Sequence, residues 1–220
     1  MNILYQSNSF IVCEKPAGVL SQAGPGPNMP ALLAEETGGE IFTVHRLDTA
    51  AAGCMVFAKT KAAAAFLSKQ IAEGGFTKEY LAAVHGIPAE SEGEYEDLLF
   101  KDSRKNKTYI ADRPRKGVKT AKLAYRVLHT AETPRGEGSL VRIRLYTGRT
   151  HQIRVQFAGR GTPLFGDGKY GARDNLPALA LFSCGIAFTD PDTKEPRAFT
   201  LDPTESAPWT WFRHKKDKNV

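Results

Sequence analysis

Apolar and polar side chains alternate strictly between residues 141 and 146. The apolar positions are Val141, Ile143 and Leu145, and the polar ones are Arg142, Arg144 and Tyr146. Successive side chains of a β-strand point to opposite faces, so this alternation predicts a strand with one face in the core and one in solvent.

A second pattern, with apolar residues three to four positions apart, follows Thr60. Its apolar members are Ala63, Phe66, Leu67 and Ile71. This spacing predicts a helix with one apolar face, capped by Thr60 and ended by Gly74 and Gly75. Pro30 suits the first turn of a shorter helix that continues to Glu36.

Further apolar runs predict strands. They cover Phe10–Cys13, Thr77–Gly86, Leu179–Phe188 and Ala198–Leu201. The pattern leaves the secondary structure of the segment after Thr150 undecided. Thr150 could cap a helix that Gly159 or Gly161 ends, whereas the β-branched residues of the segment also suit a strand. Many strands and few helices in one unbroken run predict a single α+β domain over residues 1–212, with a basic, solvated tail at 213–220.

Composition places the chain among ordinary globular proteins, with 41% hydrophobic and 25% charged residues in a length of 220. No apolar stretch is long enough to cross a bilayer and no signal-peptide layout is seen, so we expect a cytoplasmic protein. Three scattered cysteines (Cys13, Cys54 and Cys184) predict free buried thiols and argue against a disulfide framework or a zinc site.

Positive charge is concentrated in one segment, although the net charge is only +6. Residues 101–126 carry ten lysines and arginines against two aspartates, directly after an acidic stretch at 90–97. For any single lysine of this segment, a position on a solvated loop is a sufficient explanation. For the whole block we favour a phosphate-facing surface, with Arg104, Lys105 and Lys107 as candidate phosphate contacts.

The most informative local motif is His45-Arg46-Leu47-Asp48, which precedes the buried apolar run Cys54–Ala58. A carboxylate at such a strand edge must be paired or solvated, so Asp48 either braces the loop or performs chemistry. Polar groups also stand at element boundaries in the segments 78–80 and 148–154. Taken singly, Tyr80 is typical of an ordinary aromatic residue in a strand, and Arg149 is typical of a surface residue.

Taken together and in order, these segments resemble the motifs of the RluA-type family of pseudouridine synthases. The matching segments are Lys15-Pro16-Ala17-Gly18, His45-Arg46-Leu47-Asp48 with Gly53, Lys78–Gly86, Gly148–Arg154 and Pro163–Gly171. The resemblance implies one α+β domain with a large mixed, mostly antiparallel sheet, flanking helices and a central cleft. It also implies that the segment after Thr150 is helical.

The family reaction converts a uridine within RNA to pseudouridine without redox change, so no cofactor or metal is expected. The resemblance implies that Asp48 acts at the ribose, as nucleophile or base, with Arg149 as its ion-pair partner. Tyr80 would lie against the uracil, a stacking role that we favour over that of a base. Arg46 would fill the gap left when the target nucleotide flips out of the RNA.

The resemblance leaves several points open. The chain has Ala51 and Ala52 where family members usually carry Thr-Ser, and those hydroxyls would brace the catalytic loop. A glycosidase-like hydrolase would need a second carboxylate, for which Asp167 is the candidate within the motifs. An inert RNA-binding protein is the other rival. We expect a monomer that acts on a hairpin of ribosomal or transfer RNA and binds neither DNA nor membranes.

Overall fold

The computed structural model describes residues 2–212, so the predicted tail at 213–220 lies outside the described residues. The helices are α1 (Met29–Thr37), α2 (Lys61–Glu73) and α3 (Gln152–Ala158). The strands are β1 (Ile3–Gln6), β2 (Phe10–Lys15), β3 (Phe42–Thr43), β4 (Ala52–Ala58), β5 (Thr77–His85), β6 (Glu92–Asp102), β7 (Lys107–Ile110), β8 (Val118–Thr133), β9 (Gly136–Leu145), β10 (Leu181–Thr189) and β11 (Pro196–Thr200). Short 3₁₀ turns cover Gly168–Tyr170 and Trp209–Phe212.

The strands of the described residues form one mixed sheet in the order β1-β2-β4-β10-β5-β9-β8-β6-β7, with β3 also paired to β4 and β11 to β10. Antiparallel pairs include β2 with β4 and β6 with β8, whereas β10 runs parallel to β4. This confirms the predicted α+β class with a mixed sheet. By packing, the described residues fall into two compact units.

The first unit comprises the residues up to Tyr80 together with Arg144–Tyr146 and Leu181–Asp202. In its core, α2 packs on the sheet through Ala63 and Leu67, which contact buried residues of β2, β4 and β10. Burial of a side chain such as that of Leu67 contributes roughly 1.5–3 kcal/mol and burial of Ala63 contributes less, so this layer stabilises the strands that flank the 45–51 loop.

The second unit comprises Leu81–Ile143, Thr147–Ala180 and the described residues from Pro203 onward. One core cluster joins Ala83 and Phe165 to Ala180 and Phe212. Another joins Leu99 and Ala121 of the sheet to Val155 of α3 and to Tyr170. Since α3 contributes only two turns, its position depends on this packing more than on helix propensity.

The predicted ends of α2 are confirmed. The Thr60 hydroxyl accepts a hydrogen bond from the Ala63 amide at 3.1 Å, and Gly74 closes the helix in the left-handed region at φ 79°. Pro30 lies in the first turn of α1, as expected. The alternation in β9 is also confirmed, because Val141 and Ile143 are buried while Arg142 and Arg144 are exposed.

The segment after Thr150 is helical, as the resemblance implies, but Thr150 is not its cap. The helix begins at Gln152, and the preceding His151 lies in the left-handed region at φ 53° with no capping side chain. All three cysteines are free and buried, as predicted. Within residues 2–212, no helix has the length and apolar character needed to span a membrane.

Candidate active site

The loop that carries Asp48 is fixed to the segment before α1 through Ser21. The Ser21 hydroxyl donates to the Leu47 carbonyl at 2.9 Å and accepts from the Leu47 amide at 3.0 Å. Ser21 is itself buried. These two hydrogen bonds hold the peptide planes on both sides of Leu47, the residue before Asp48, so the Asp48 carboxylate projects from a fixed backbone.

Lys15, at the end of β2, is fully buried and holds the other side of the loop. Its ammonium group donates to the carbonyls of Pro16 at 2.7 Å, Val19 at 2.8 Å and Thr49 at 3.2 Å. Burial lowers the pKa of Lys15 to about 8, while the negative charge of Asp48 acts in the opposite direction. The lysine therefore ties the loop to its neighbours and contributes positive charge beside Asp48.

His45 has a structural role in this loop. Its Nε2 atom accepts a hydrogen bond from the Val56 amide of β4 at 3.1 Å. Burial, and then the nearby charge of Lys78, lower the pKa of His45 to about 3. An imidazole that stays neutral and accepts from a backbone amide anchors the loop to the sheet. It is not available as a proton donor at neutral pH.

Tyr80 lies on β5 and is buried, with 5% of its surface exposed. Burial, followed by the negative charge of Asp48, raises the pKa of Tyr80 well above its ordinary value. The Tyr80 phenol therefore lies within electrostatic range of the Asp48 carboxylate. A phenol with a raised pKa remains protonated at neutral pH. For Tyr80 this favours contact with the uracil ring over abstraction of a proton.

The segment that departs from the family pattern is fixed without hydroxyl groups at positions 51 and 52. The Ala51 amide donates to the Asp48 carbonyl at 3.0 Å, which closes the turn. At Gly53 the backbone has φ 122°, and a Cβ atom there would overlap the backbone of Ser183 on β10. Bracing of this loop comes from Ser21, Lys15 and the close strand contact at Gly53, none of which needs a Thr-Ser pair.

Arg46 is exposed, and its Nη1 atom donates to the Gln22 side chain at 3.0 Å. It stands two positions before Asp48 on the same fixed loop. An exposed guanidinium on a fixed loop is available for contact with a large substrate, in line with the role that the resemblance implies.

Arg149 belongs to the second unit, and its side chain is exposed. Its Nε atom donates to the Thr120 carbonyl of β8 at 2.9 Å, and its backbone amide donates to the Gln152 side chain at 3.0 Å. The pairing of Arg149 with Asp48 stays a prediction.

The second arginine of the same motif, Arg154, has a different environment. It lies within α3, is buried, and forms a bidentate pair with Asp167, with two N···O distances of 2.7 Å. Its guanidinium lies 5.1 Å from the ring centre of Tyr170. Arg154 was not among the predicted site residues, although its place between apolar residues of a short helix was a signal of burial.

Asp167 is 1% exposed, and both of its carboxylate oxygens accept hydrogen bonds from Arg154. A general acid must face the leaving group of the substrate, whereas both carboxylate oxygens of Asp167 are buried and face Arg154. This geometry argues against Asp167 as the second carboxylate that a glycosidase-like hydrolase would need.

The candidate RNA contacts Arg104, Lys105 and Lys107 lie on the β6–β7 hairpin. The backbone amides of Arg104 and Lys105 donate to the Asp102 carboxylate at 2.9 and 3.1 Å, so their side chains leave a fixed turn. Both are exposed, while the Lys107 ammonium lies 5.2 Å from the ring centre of Tyr170. The hairpin therefore presents two solvated cations at its tip.

Comparison with known proteins identifies the family of the chain. A sequence profile described as RNA pseudouridylate synthase matches residues 9–159. The chain belongs to this family. The dual-specificity RNA pseudouridine synthase RluA of Yersinia pestis is 32% identical over 215 residues, which cover 92% of this chain and 98% of that protein. The RluA of Escherichia coli is 33% identical over 197 residues, covering 86% and 87% of the two chains.

Solved structures agree with the sequence comparison. The human protein RNA Pseudouridylate Synthase Domain Containing 1 superimposes with a TM-score of 0.77 at 25% identity, covering 92% of this chain and 83% of that one. The human Domain Containing 4 protein superimposes with a TM-score of 0.76, at an identity of 22% that supports the fold alone. The chain is thus an RluA-type RNA pseudouridine synthase, an isomerase whose substrate is uridine in RNA.

Proposed function

We propose that this synthase isomerises a uridine in a structured region of ribosomal or transfer RNA, with Asp48 acting at the ribose of a flipped-out nucleotide. The observation that carries the proposal is the fixed loop around Asp48. Ser21 and Lys15 hold the backbone on both sides of this carboxylate, and its charge acts on the buried Tyr80. Such preorganisation keeps the reacting group in place without a cost at the moment of reaction.

Each further residue has one task in this proposal. Tyr80 contacts the uracil ring and remains protonated. Arg46 occupies the space that the flipped nucleotide leaves in the RNA stack, because a planar cation both stacks and donates hydrogen bonds. Arg104 and Lys105 at the hairpin tip, with Lys107, contact phosphates.

The RNA class is supported by the relatives. RluA of both species is named as dual-specificity, and other relatives act on the ribosomal large subunit by name, such as the C-type synthase of Buchnera aphidicola at 32% identity. Flipping a nucleotide costs roughly a few kcal/mol and costs least where bases are unpaired, which favours a stem-loop. Cytoplasmic residence, a monomeric state and the absence of DNA binding stay predictions.

The decisive variant is Asp48→Asn, which replaces one carboxylate oxygen by an NH2 group and keeps the shape of the side chain. We expect pseudouridine formation to be lost while RNA affinity stays within a few-fold of the parent. Unmodified ribosomal and transfer RNA would be incubated with each protein and the pseudouridines mapped by chemical labelling or mass spectrometry. Asp202→Asn makes the same chemical change at an exposed position and serves as the control.

Two results would oppose the proposal. Full turnover by purified Asp48→Asn would show that another group performs the chemistry. RNA binding without conversion by the parent protein, in every RNA offered, would favour an inert RNA-binding protein. Thermal unfolding of both variants shows whether any loss of activity reflects a loss of fold.

A further inference from the structure

A small basic pocket lies in the second unit, on the sheet face formed by β6, β7 and β8. Lys101 pairs with Thr108 across the hairpin, and Leu99 pairs with Lys119. Residues directly opposite each other in antiparallel strands share a face, as do residues two apart in one strand. Lys101, Thr108 and Lys119 therefore stand on one face.

The loop before α3 borders this face and is held there by hydrogen bonds. The Thr108 hydroxyl donates to the Thr150 carbonyl at 2.9 Å. The Arg149 amide donates to Gln152 at 3.0 Å, and its Nε atom donates to the Thr120 carbonyl at 2.9 Å. Because both the backbone and the start of its guanidinium are held, Arg149 presents its two terminal nitrogens from a defined position.

The three cations line one pocket of about 180 Å³, together with Leu99, Thr108, Gly117, Gly148 and Thr150. At ~30 Å³ per water molecule, this is room for about six waters. Pockets that hold whole small molecules usually measure ~300–1,000 Å³, so the space suits one phosphate group with some of its hydration.

Among the described residues of the second unit, no carboxylate forms an ion pair with the three cations of the pocket. Among the described residues that line it, none is acidic. The ion pairs found in the described part of the second unit engage other cations, namely Lys122, Arg126, Arg154, Arg160 and His85. Three cations around a phosphate-sized space, with no carboxylate among them, favour an anion that comes from outside the chain.

We propose that Lys101, Lys119 and Arg149 bind a backbone phosphate of the RNA substrate, so that Arg149 serves RNA binding. The inference rests on the proposed function for its ligand. A guanidinium that reaches a phosphate from a fixed loop gives directional hydrogen bonds, while the two lysines add charge. The site would set the register of the RNA on the protein and read no base.

The test compares Lys101→Gln/Lys119→Gln and Arg149→Gln with the parent, using a fluorescently labelled RNA stem-loop. We expect the dissociation constant to rise about tenfold, the effect of losing one charge-assisted contact. The slope of log affinity against log salt should become shallower by about 0.7–0.9 for one lost phosphate contact. Loss of kcat/KM should come through KM. Arg149→Lys, which keeps the charge, should restore part of the affinity.

Lys61→Gln/Lys69→Gln is the charge-matched control, because it removes two exposed lysines from α2. It should leave the dissociation constant close to that of the parent. Unchanged affinity and salt slope in Lys101→Gln/Lys119→Gln would overturn the proposal. So would a fall in kcat of Arg149→Gln with unaltered affinity, since that pattern belongs to a partner of the catalytic carboxylate. The binding measurements do not require turnover, so failure of the parent to convert any uridine would count against the proposed function alone.

Discussion

Lys15→Met offers a direct measure of the charge that is buried beneath the loop that carries Asp48. The side chain is fully buried, its ammonium donates to three backbone carbonyls, and its pKa is lowered to about 8. Methionine fills a similar volume without the charge. The difference in unfolding free energy between the parent and this variant therefore isolates the titration of Lys15.

The expected size of the effect follows from proton linkage. An unfolded lysine has a pKa of ~10.4, so between pH 8 and that value the unfolded chain holds more protons at Lys15 than the folded chain does. In this window the parent gains stability relative to Lys15→Met by up to ~1.36 kcal/mol for each pH unit, a total of about 3 kcal/mol. Below pH 8 both states are protonated and the difference is flat.

Urea unfolding at intervals from pH 7 to 10.5 measures this difference. With slopes of ~2–3 kcal/mol/M, 3 kcal/mol corresponds to a relative change of about 1–1.5 M in the urea midpoint. The buried thiols Cys13 and Cys54, whose pKa is raised to about 12 by burial, titrate identically in both proteins and cancel. Lys69→Met, which changes a lysine side chain that is 71% exposed, should show no such trend.

A flat difference for Lys15→Met across the whole range would refute the reasoning, because it would mean that the ammonium is not desolvated. An equal rise for Lys69→Met would refute it as well. The same variant should also turn over more slowly, since the tie between Lys15 and the Thr49 carbonyl beside Asp48 is lost.

Three other predictions follow from the two units. Tyr80→Phe should retain much more turnover than Tyr80→Leu, because base–aromatic stacking is worth ~1–3 kcal/mol and the phenol stays protonated; equal losses in single-turnover assays would restore a proton-transfer role. Arg154→Met should lower the unfolding free energy by about 3–5 kcal/mol, since it leaves the buried partner carboxylate uncompensated, and chemical denaturation that shows less than 1 kcal/mol would contradict this. Replacing Arg104, Lys105 and Lys107 together by Gln should reduce the slope of log affinity against log salt by about 0.7 for each lost contact with single-stranded RNA. An unchanged slope in titrations would mean that the hairpin is a solvated loop without RNA contacts.

Much of the fold was predictable because its signals are local. The capping hydroxyl of Thr60 and the left-handed Gly74 mark the ends of α2, and both act on backbone groups within a few residues. The alternation of β9 is equally local, since the pleat of one strand sets which side chains face the core. The motif around Asp48 was likewise readable, because loop residues that carry chemistry are contiguous in the chain.

The supports of that loop were not predictable. Ser21 holds Leu47 from 26 positions away, and Lys15 reaches Thr49 from 34 positions away. No local pattern distinguishes a buried serine or a buried lysine from an exposed one. Their roles depend on β2 lying beside β4, which brings the segments before and after α1 together. The missing Thr-Ser hydroxyls suggested a loosely held loop only because these distant contacts could not be seen.

By itself, then, the sequence determined the fold class, the reaction family and the place of Asp48, because each depends on residues that are neighbours along the chain. The tertiary structure decided what the two arginines of one motif do. The left-handed backbone at His151 starts α3, so Arg154 turns inward to Asp167, while Arg149 stays in the preceding loop and lines the basic pocket with Lys101 and Lys119. Five positions separate these arginines, and only the path of the backbone between them directs one guanidinium to a buried carboxylate and the other to solvent.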